Sequence, residues 1–558
     1  MYIDDETYQR DGTTYRRVLL RRGKRISPQK TKLYTIANLS SYPDEEIEAL
    51  KIALNNKGKI PYLHNLSKGN VYNGKIYGAI ICLYQVSQQL GISNIFGNRN
   101  IYASLNLWLI FARFLGNGSR LSAVRQAQIH AGCEILGIES LTEDDLYSAM
   151  DWLYDHKSEI EKKLFSNWKK LPKNRISTNH VFLYDLSSSY LEGTENELAA
   201  FGYNRDQKKG KMIITYGLLT DVDGDPLGIE VFPGNTSDNK TVKTQIEKIK
   251  QEYQSQYITF VGDKGMIKTG EQKLISGEDD FYYITSITKA QINTLLSKKF
   301  INLGLFDEKL CEVEDIEETI RYILRRNPIR AEEIQLSRES KMASIRKAIT
   351  QSNTYLSEHP KSKVEVQIRD ITAYIKKLKL VDALKVEQES DGARKLKLEI
   401  DTQELLELSK LDGCYAIKTD LPKNVLDTEQ VHARYKDLAL VEQAFKEVKS
   451  LLNARGIFVR KKERTIAHMV TTMFSYKIER YLRNVWKEID LTPMEGIEML
   501  KQLGSQIIQI GKTKQITIPK PTGLCEKLLD KINVIMPNVL PYKVADVHTN
   551  RKLVNRRK

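Results

Sequence analysis

The chain has 558 residues, 41% of them hydrophobic and 28% charged, which is more than one domain's worth and enough to bury a sizeable core. Lys and Arg number 86 against 71 Asp and Glu, a formal net charge of +15. That excess points to a polyanionic partner such as nucleic acid, although charge alone leaves acidic substrates and anionic membrane surfaces open. Cys82, Cys133, Cys311, Cys414 and Cys525 are far apart and form no short-spaced metal or redox pair, so reduced core cysteines in a cytosolic protein are expected. The start MYIDDETYQRDG has no apolar signal core, and the longest apolar runs, near Ile76–Val86 and Leu105–Leu115, are too short to span a bilayer. The expected protein is soluble and intracellular, with no membrane partner.

Residues 1–65 alternate strand-like pieces with basic clusters; Arg16, Arg17, Arg21, Arg22, Lys24 and Arg25 surround Val18-Leu19-Leu20. A basic hairpin contacting phosphate and a solvated edge strand are both open readings. Residues 66–175 have helical i, i+3, i+4 spacing in Gly78–Leu90, Ile101–Leu115 and Ser119–Leu136, and Ser140-Leu-Thr-Glu-Asp-Asp starts a further helix. This region is expected to be helical, serving DNA binding and dimerisation; a plain bundle would look the same.

At about 176 the texture changes to strands. His180-Val-Phe-Leu-Tyr-Asp185 is an apolar run ending in a carboxylate. Lys211–Leu219 and Leu227–Phe232 are two more strands, joined through an Asp-Gly turn in Asp221-Val-Asp-Gly-Asp225. A helix over Asn239–Tyr253, capped by Asp238, precedes Tyr257-Ile-Thr-Phe-Val-Gly-Asp263, again a buried strand delivering an Asp, and Phe281–Ser286 is a fifth strand. Residues 290–412 are rich in Lys, Arg and Glu and read as an insertion, with helices over Glu332–Ser352 and the Ala383–Leu408 region. Strand texture returns at Cys414. Residues 413–490 would complete the domain opened by 176–289, with a long helix from about Thr465 to Lys487 carrying a buried His468. Residues 491–558 form a C-terminal region with a basic tail.

Arg434–Lys449 reads as one amphipathic helix. At about 100° per residue, Tyr435, Glu442, Lys446 and Lys449 fall close to one face. A carboxylate balancing lysines is the plain reading of that face. Beside Asp185 and Asp263, Glu442 instead completes a trio of hard oxygen ligands of the kind that two-metal phosphodiester chemistry needs.

The pattern resembles the insertion-sequence DDE transposases, in particular the branch with a Tyr-x2-Arg-x3-Glu-x6-Lys signature and a large insertion before the catalytic Glu. Tyr435, Glu442 and Lys449 stand at the signature spacing; Phe182-Leu-Tyr-Asp185-Leu-Ser and Val261-Gly-Asp263-Lys-Gly match the two Asp segments. Gly202-Tyr-Asn-Arg-Asp-Gln-Lys and Pro233-Gly-Asn-Thr-Ser-Asp238 look like the connecting segments. Leu438 departs from the signature Arg, which puts the branch's hairpin step in doubt and leaves Arg434, Lys436 or Lys446 to take over a backbone contact. The resemblance implies an α/β fold with a ribonuclease H-like mixed sheet flanked by helices and interrupted by the insertion. It implies a Mg-dependent transposase that cuts at its element's terminal inverted repeats and transfers the strand into target DNA. Asp185, Asp263 and Glu442 would hold two Mg²⁺ ions, with Mn²⁺ as substitute. Tyr435, Lys446 and Lys449 would lie along double-stranded DNA, and a homodimer would bring two ends together in a prokaryotic, nucleoid-associated, cytoplasmic setting. A catalytically inactive transposase-derived DNA-binding protein and a ribonuclease H-like nuclease are the alternatives.

Overall fold

The computed structural model describes residues 1–550 except 12, 28, 56–69, 98–99, 117, 173–178, 194, 207, 209, 254–256, 277–280, 391, 451, 453, 455–456, 511–512 and 538–544. The expected boundaries at 65/66 and 175/176 and the basic tail at 551–558 lie outside the described residues.

The centre is an eight-stranded mixed sheet. Its strands in chain order are β1 (Asn179–Tyr190), β2 (Ile213–Asp221), β3 (Pro226–Pro233), β4 (Tyr257–Val261), β5 (Phe281–Ser286), β6 (Cys311–Asp315), β7 (Ile320–Arg326) and β8 (Cys414–Thr419). They lie side by side as β6-β7-β8-β5-β4-β1-β2-β3. β1, β4 and β5 are parallel neighbours, whereas β2 and β3 form an antiparallel meander on β1. The order β3-β2-β1-β4-β5, with β2 alone reversed against β1, is the ribonuclease H-like core expected from the sequence. The Asp-Gly turn between β2 and β3 closes as expected, with Asp221 Oδ1 accepting the amides of Asp223 at 3.0 Å and Asp225 at 2.8 Å.

The period-2 alternation of β1 decides which side of the sheet each residue serves. Phe182, Tyr184 and Leu186 enter one core with Trp168 and the Asp238–Tyr253 helix. Val181 and Leu183 enter the opposite core, which also holds Val441, Ala444 and Phe445 of the helix Leu438–Ser450. Phe445 meets Tyr216 of β2 edge-on, with ring centroids 5.7 Å apart. Asp185 therefore falls on the face that the Glu442 helix covers. The same core takes in the helical region 78–164 and the long helix Lys462–Trp486, whose predicted His468 is indeed buried, its Nδ1 2.8 Å from Arg113.

Part of the segment read as an insertion continues the sheet: β6 and β7 add to it through β8. Beyond them, helices Pro328–Glu358 and Val364–Lys377 pack with a hairpin, Leu384–Gln388 against Leu396–Ile400, around their own small core. This corrects the helix expected over Ala383–Leu408. The strands Leu-Lys-Val-Glu-Gln and Leu-Lys-Leu-Glu-Ile alternate apolar and charged residues with period 2, and only Thr402–Ser409 is helical there.

At the N-terminus Tyr2–Arg10, Thr13–Ser27 and Lys30–Asn38 form a three-stranded antiparallel sheet, with Val18 and Leu39 packed on Ile47 of the helix Asp44–Asn55. Among the described residues no helix is long and apolar enough to cross a membrane.

Candidate active site

The two aspartates meet because of strand register. Leu183 of β1 pairs with Val261 of β4, and Val261 pairs in turn with Ile284 of β5. Two residues further along, just past the last parallel pair of β1 and β4, come Asp185, Asp263 and Ser286; Asp185 lies within β1, which runs on to Tyr190 paired with β2, rather than ending the strand as expected. Ligands bind at this end of open α/β sheets, where the parallel pairing stops and side chains can converge. Gly262 keeps the β4 end tied in, its amide bonded to Ile284 O at 3.1 Å. Asp185, Asp263, Glu442 and Tyr435 all line a single cleft of about 1030 Å³.

Asp185 is half-buried, and its carboxyl is pushed up to about 7. Burial is the main cause; the Glu442 and Asp263 carboxylates add to it, opposed by the Leu186 amide and Arg205. Asp263 and Glu442 are exposed to the cleft. Among the described residues no group of three or more His, Cys, Asp or Glu side chains stands close enough to hold a metal ion. The donor set nevertheless fits a hard divalent cation: all three groups are carboxylates on one cleft, and the upward shift of Asp185, due first to burial, includes repulsion from Glu442 and Asp263 that a cation relieves.

The expected single helix over Arg434–Lys449 is two helices, Thr428–Lys436 and Leu438–Ser450, which turn at Asp437. Tyr435 and Glu442 thus belong to different helices and share no helix face, contrary to expectation. They meet because both helices border the cleft. The Tyr435 hydroxyl donates to Asp263 Oδ1 at 3.5 Å, and its pKa is pushed up to about 12, chiefly by burial, with Asp263 and Glu442 adding to the shift against a hydrogen bond with Ser286. Lys446 is exposed on the cleft wall with Lys264, Lys289 and Lys436. Lys449 corrects the expectation of a DNA contact: it is buried, its Nζ 3.0 Å from Asp206 Oδ1. Leu438, in the signature Arg position, also lines the cleft and is buried.

The family model for the transposase DDE domain matches residues 180–478, more than half of the chain and the whole span from β1 through the Glu442 helix. The chain belongs to the DDE transposase family. None of the curated proteins matches it. Among solved structures it is similar to a piggyBac transposase synaptic complex with hairpin DNA, at 8% identity over 79% of this chain and 77% of that one, with a TM-score of 0.35. At that level neither details of fold nor chemistry carry over.

The match places Asp185, Asp263 and Glu442 inside the DDE domain. The sequence reading missed the roles of Arg205, Asp206 and Asp238. Arg205 Nη2 bonds both oxygens of Asp238 at 3.1 Å beside the cleft, and Asp206 anchors Lys449. These residues lie in the two connecting segments, Gly202-Tyr-Asn-Arg-Asp and Pro233–Asp238. Their Arg and Asp residues were the available signal, but partnership between segments over thirty residues apart is not written in local spacing.

Proposed function

We propose that this DDE transposase cuts DNA at the terminal inverted repeats of its own insertion-sequence element and joins the freed 3′-hydroxyl to target DNA. The reading rests on one observation: two aspartates, each two residues past the paired Leu183 and Val261 of adjacent parallel strands, share a cleft with Glu442, inside the DDE match. Asp185, Asp263 and Glu442 would hold two Mg²⁺ ions, with Mn²⁺ able to substitute. Divalent cations supply an activated water or hydroxyl nucleophile and stabilise the leaving oxygen. Tyr435 holds Asp263 in place through its hydroxyl. Lys264, Lys436 and Lys446 present exposed ammoniums to the phosphates on the cleft wall, and Lys436 and Lys446 flank the position where Leu438 replaces the signature Arg. The protein belongs to the signature branch described above, acts as a dimer on two ends, and works beside the chromosome of a prokaryotic cell.

Recognition of the ends falls to the N-terminal sheet. Its base is neutralised: Arg16 bonds Asp5 and Asp44, Arg17 bonds Glu6 and Arg21 bonds Asp4. The first strand ends opposite Arg21, so the other two continue as a ribbon. From Arg22 to Thr35 that ribbon carries five cations and no acidic residue, and a two-stranded ribbon fits the major groove. Replacing Arg22, Lys24 and Lys32 by Gln is expected to weaken end binding more than tenfold. It should also lower the slope of log affinity against log salt by about 3. Unchanged affinity in a salt titration would remove the ribbon from DNA recognition.

The deciding experiment measures Mg²⁺- or Mn²⁺-dependent cleavage of DNA carrying the flanking inverted repeats, comparing the parent with Glu442→Gln. Cleavage lost in the variant while binding persists supports the reading. Cleavage that survives the substitution removes Glu442 from the chemistry. Binding without cleavage by either protein favours an inactive DNA-binding relative.

A further inference from the structure

One large aromatic ring stands exposed beside the carboxylates, and a second precedes it in the same segment. Tyr203 is 81% exposed and lines the cleft with Asp185, Asp263 and Glu442. Two residues earlier, Phe201 is 69% exposed. Their backbone is held on both sides. Ala200 exchanges amide bonds with Ile213 of β2 at 3.1 and 2.9 Å, and the Gly234 amide bonds Leu198 O at 3.0 Å. Gly202, between the rings, lies so close to Gly234 that an added Cβ would come within 2.1 Å of its carbonyl oxygen. Downstream, the Arg205 amide bonds Ser188 Oγ at 3.2 Å, and its guanidinium, fixed by Asp238, lies 5.8 Å from the Tyr203 ring. A segment tied down this closely displays its aromatic faces at a definite place.

Rings of this size gain substantially when covered. The occupant must be compatible with a cleft carrying the exposed cations Lys264, Lys436 and Lys446, so a polyanion with flat apolar faces fits best. In a duplex the base faces are covered by their neighbours; only an unpaired, unstacked base can offer a face to a protein ring. We propose that Tyr203 is a stacking platform for unpaired bases next to the phosphate that is cut, with Phe201 two residues earlier extending it. The transposase would thereby engage element ends that are locally opened rather than fully paired. This rests on the DNA-cutting function proposed above.

The test uses full-length Glu442→Gln protein, so that the DNA stays whole, with end-bearing DNA carrying 2-aminopurine in its terminal nucleotides. One version is fully paired and the other has three terminal nucleotides unpaired. The expected result is tighter binding of the opened end and stacking-induced quenching of the base. Adding Tyr203→Ala should erase about tenfold of that preference and restore the fluorescence, whereas Tyr203→Phe keeps both. Phe201→Ala should act in the same direction with a smaller loss. The platform is overturned if Tyr203→Ala leaves the preference and the fluorescence as they were. It is equally overturned if the variant weakens paired and opened ends alike, since that marks a role in the fold or in phosphate contact. These results leave the cutting reading intact wherever the parent cleaves. If the Glu442→Gln protein binds neither DNA, and the parent neither binds nor cleaves, the cutting reading falls and takes the platform with it.

Discussion

Asp185→Asn is expected to slow cleavage of end-bearing DNA by at least about a thousandfold, roughly 4 kcal/mol of barrier, while raising the melting temperature of the metal-free protein at pH 8. Both effects have one origin. The Asp185 carboxyl is pushed up to about 7 in the folded state, above all by burial and then by Glu442 and Asp263. In the unfolded chain it titrates near 3.9. Between those values the folded state holds the extra proton, so stability falls as pH rises from about 4 to 7 and stays at its lowest above 7. The difference is worth about 2 kcal/mol for a half-buried group. Asn does not titrate, so the variant should lose this pH dependence. Thermal melts at pH 5 and pH 8, with and without Mg²⁺ or Mn²⁺, check the point: the metal should raise the parent's melting temperature at pH 8 and leave the variant's nearly unchanged. Identical pH profiles and identical metal responses for the two proteins would show that Asp185 is not a strained ligand.

Asp206→Asn is expected to cost about 2–3 kcal/mol of folding stability, because it removes the carboxylate that faces the buried Lys449 ammonium. Both side chains are under 10% exposed, at 8% and 6%, so water screens neither. The pair joins the Glu442 helix to the segment that carries Tyr203 and Arg205. Its loss should therefore also reduce cleavage, by displacing Glu442. The combined Asp206→Asn and Lys449→Met protein should regain most of the stability, which a double-mutant cycle by urea unfolding would measure. If Lys449→Met alone weakens DNA binding without touching stability, the signature lysine is a DNA contact after all and the ion pair is incidental.

Much of this molecule can be read locally. The run Val181–Tyr184 ends in Asp185 and the run Tyr257–Val261 leads to Asp263, because an apolar stretch of strand length bounded by polar residues describes itself through near neighbours. Thr142, Thr288, Asp427 and Thr492 each cap a helix through a residue three positions on, and the helix start at Ser140–Asp145 was legible from local sequence. The Glu442 helix was visible from its apolar stripe.

The remainder was set by contacts between distant parts of the chain. The Leu384–Ile400 hairpin was hidden because its charged, leucine-containing composition suits a helix, and only pairing selects the period of 2. The break at Asp437 removed the single face that seemed to align Tyr435 with Glu442, and the fold restored their proximity by another route. Lys449 is buried rather than aimed at DNA because its partner lies 243 residues earlier, and the Asp185 pKa is set first by burial and then by Glu442 and Asp263 from two other elements. The sequence by itself determined the elements and which of them carry carboxylates, since hydrogen bonding and apolar spacing act over a few residues. Only the tertiary structure decided which charges are buried, paired or left facing the cleft, since electrostatic energy depends on distance and solvent access in space and not on separation along the chain.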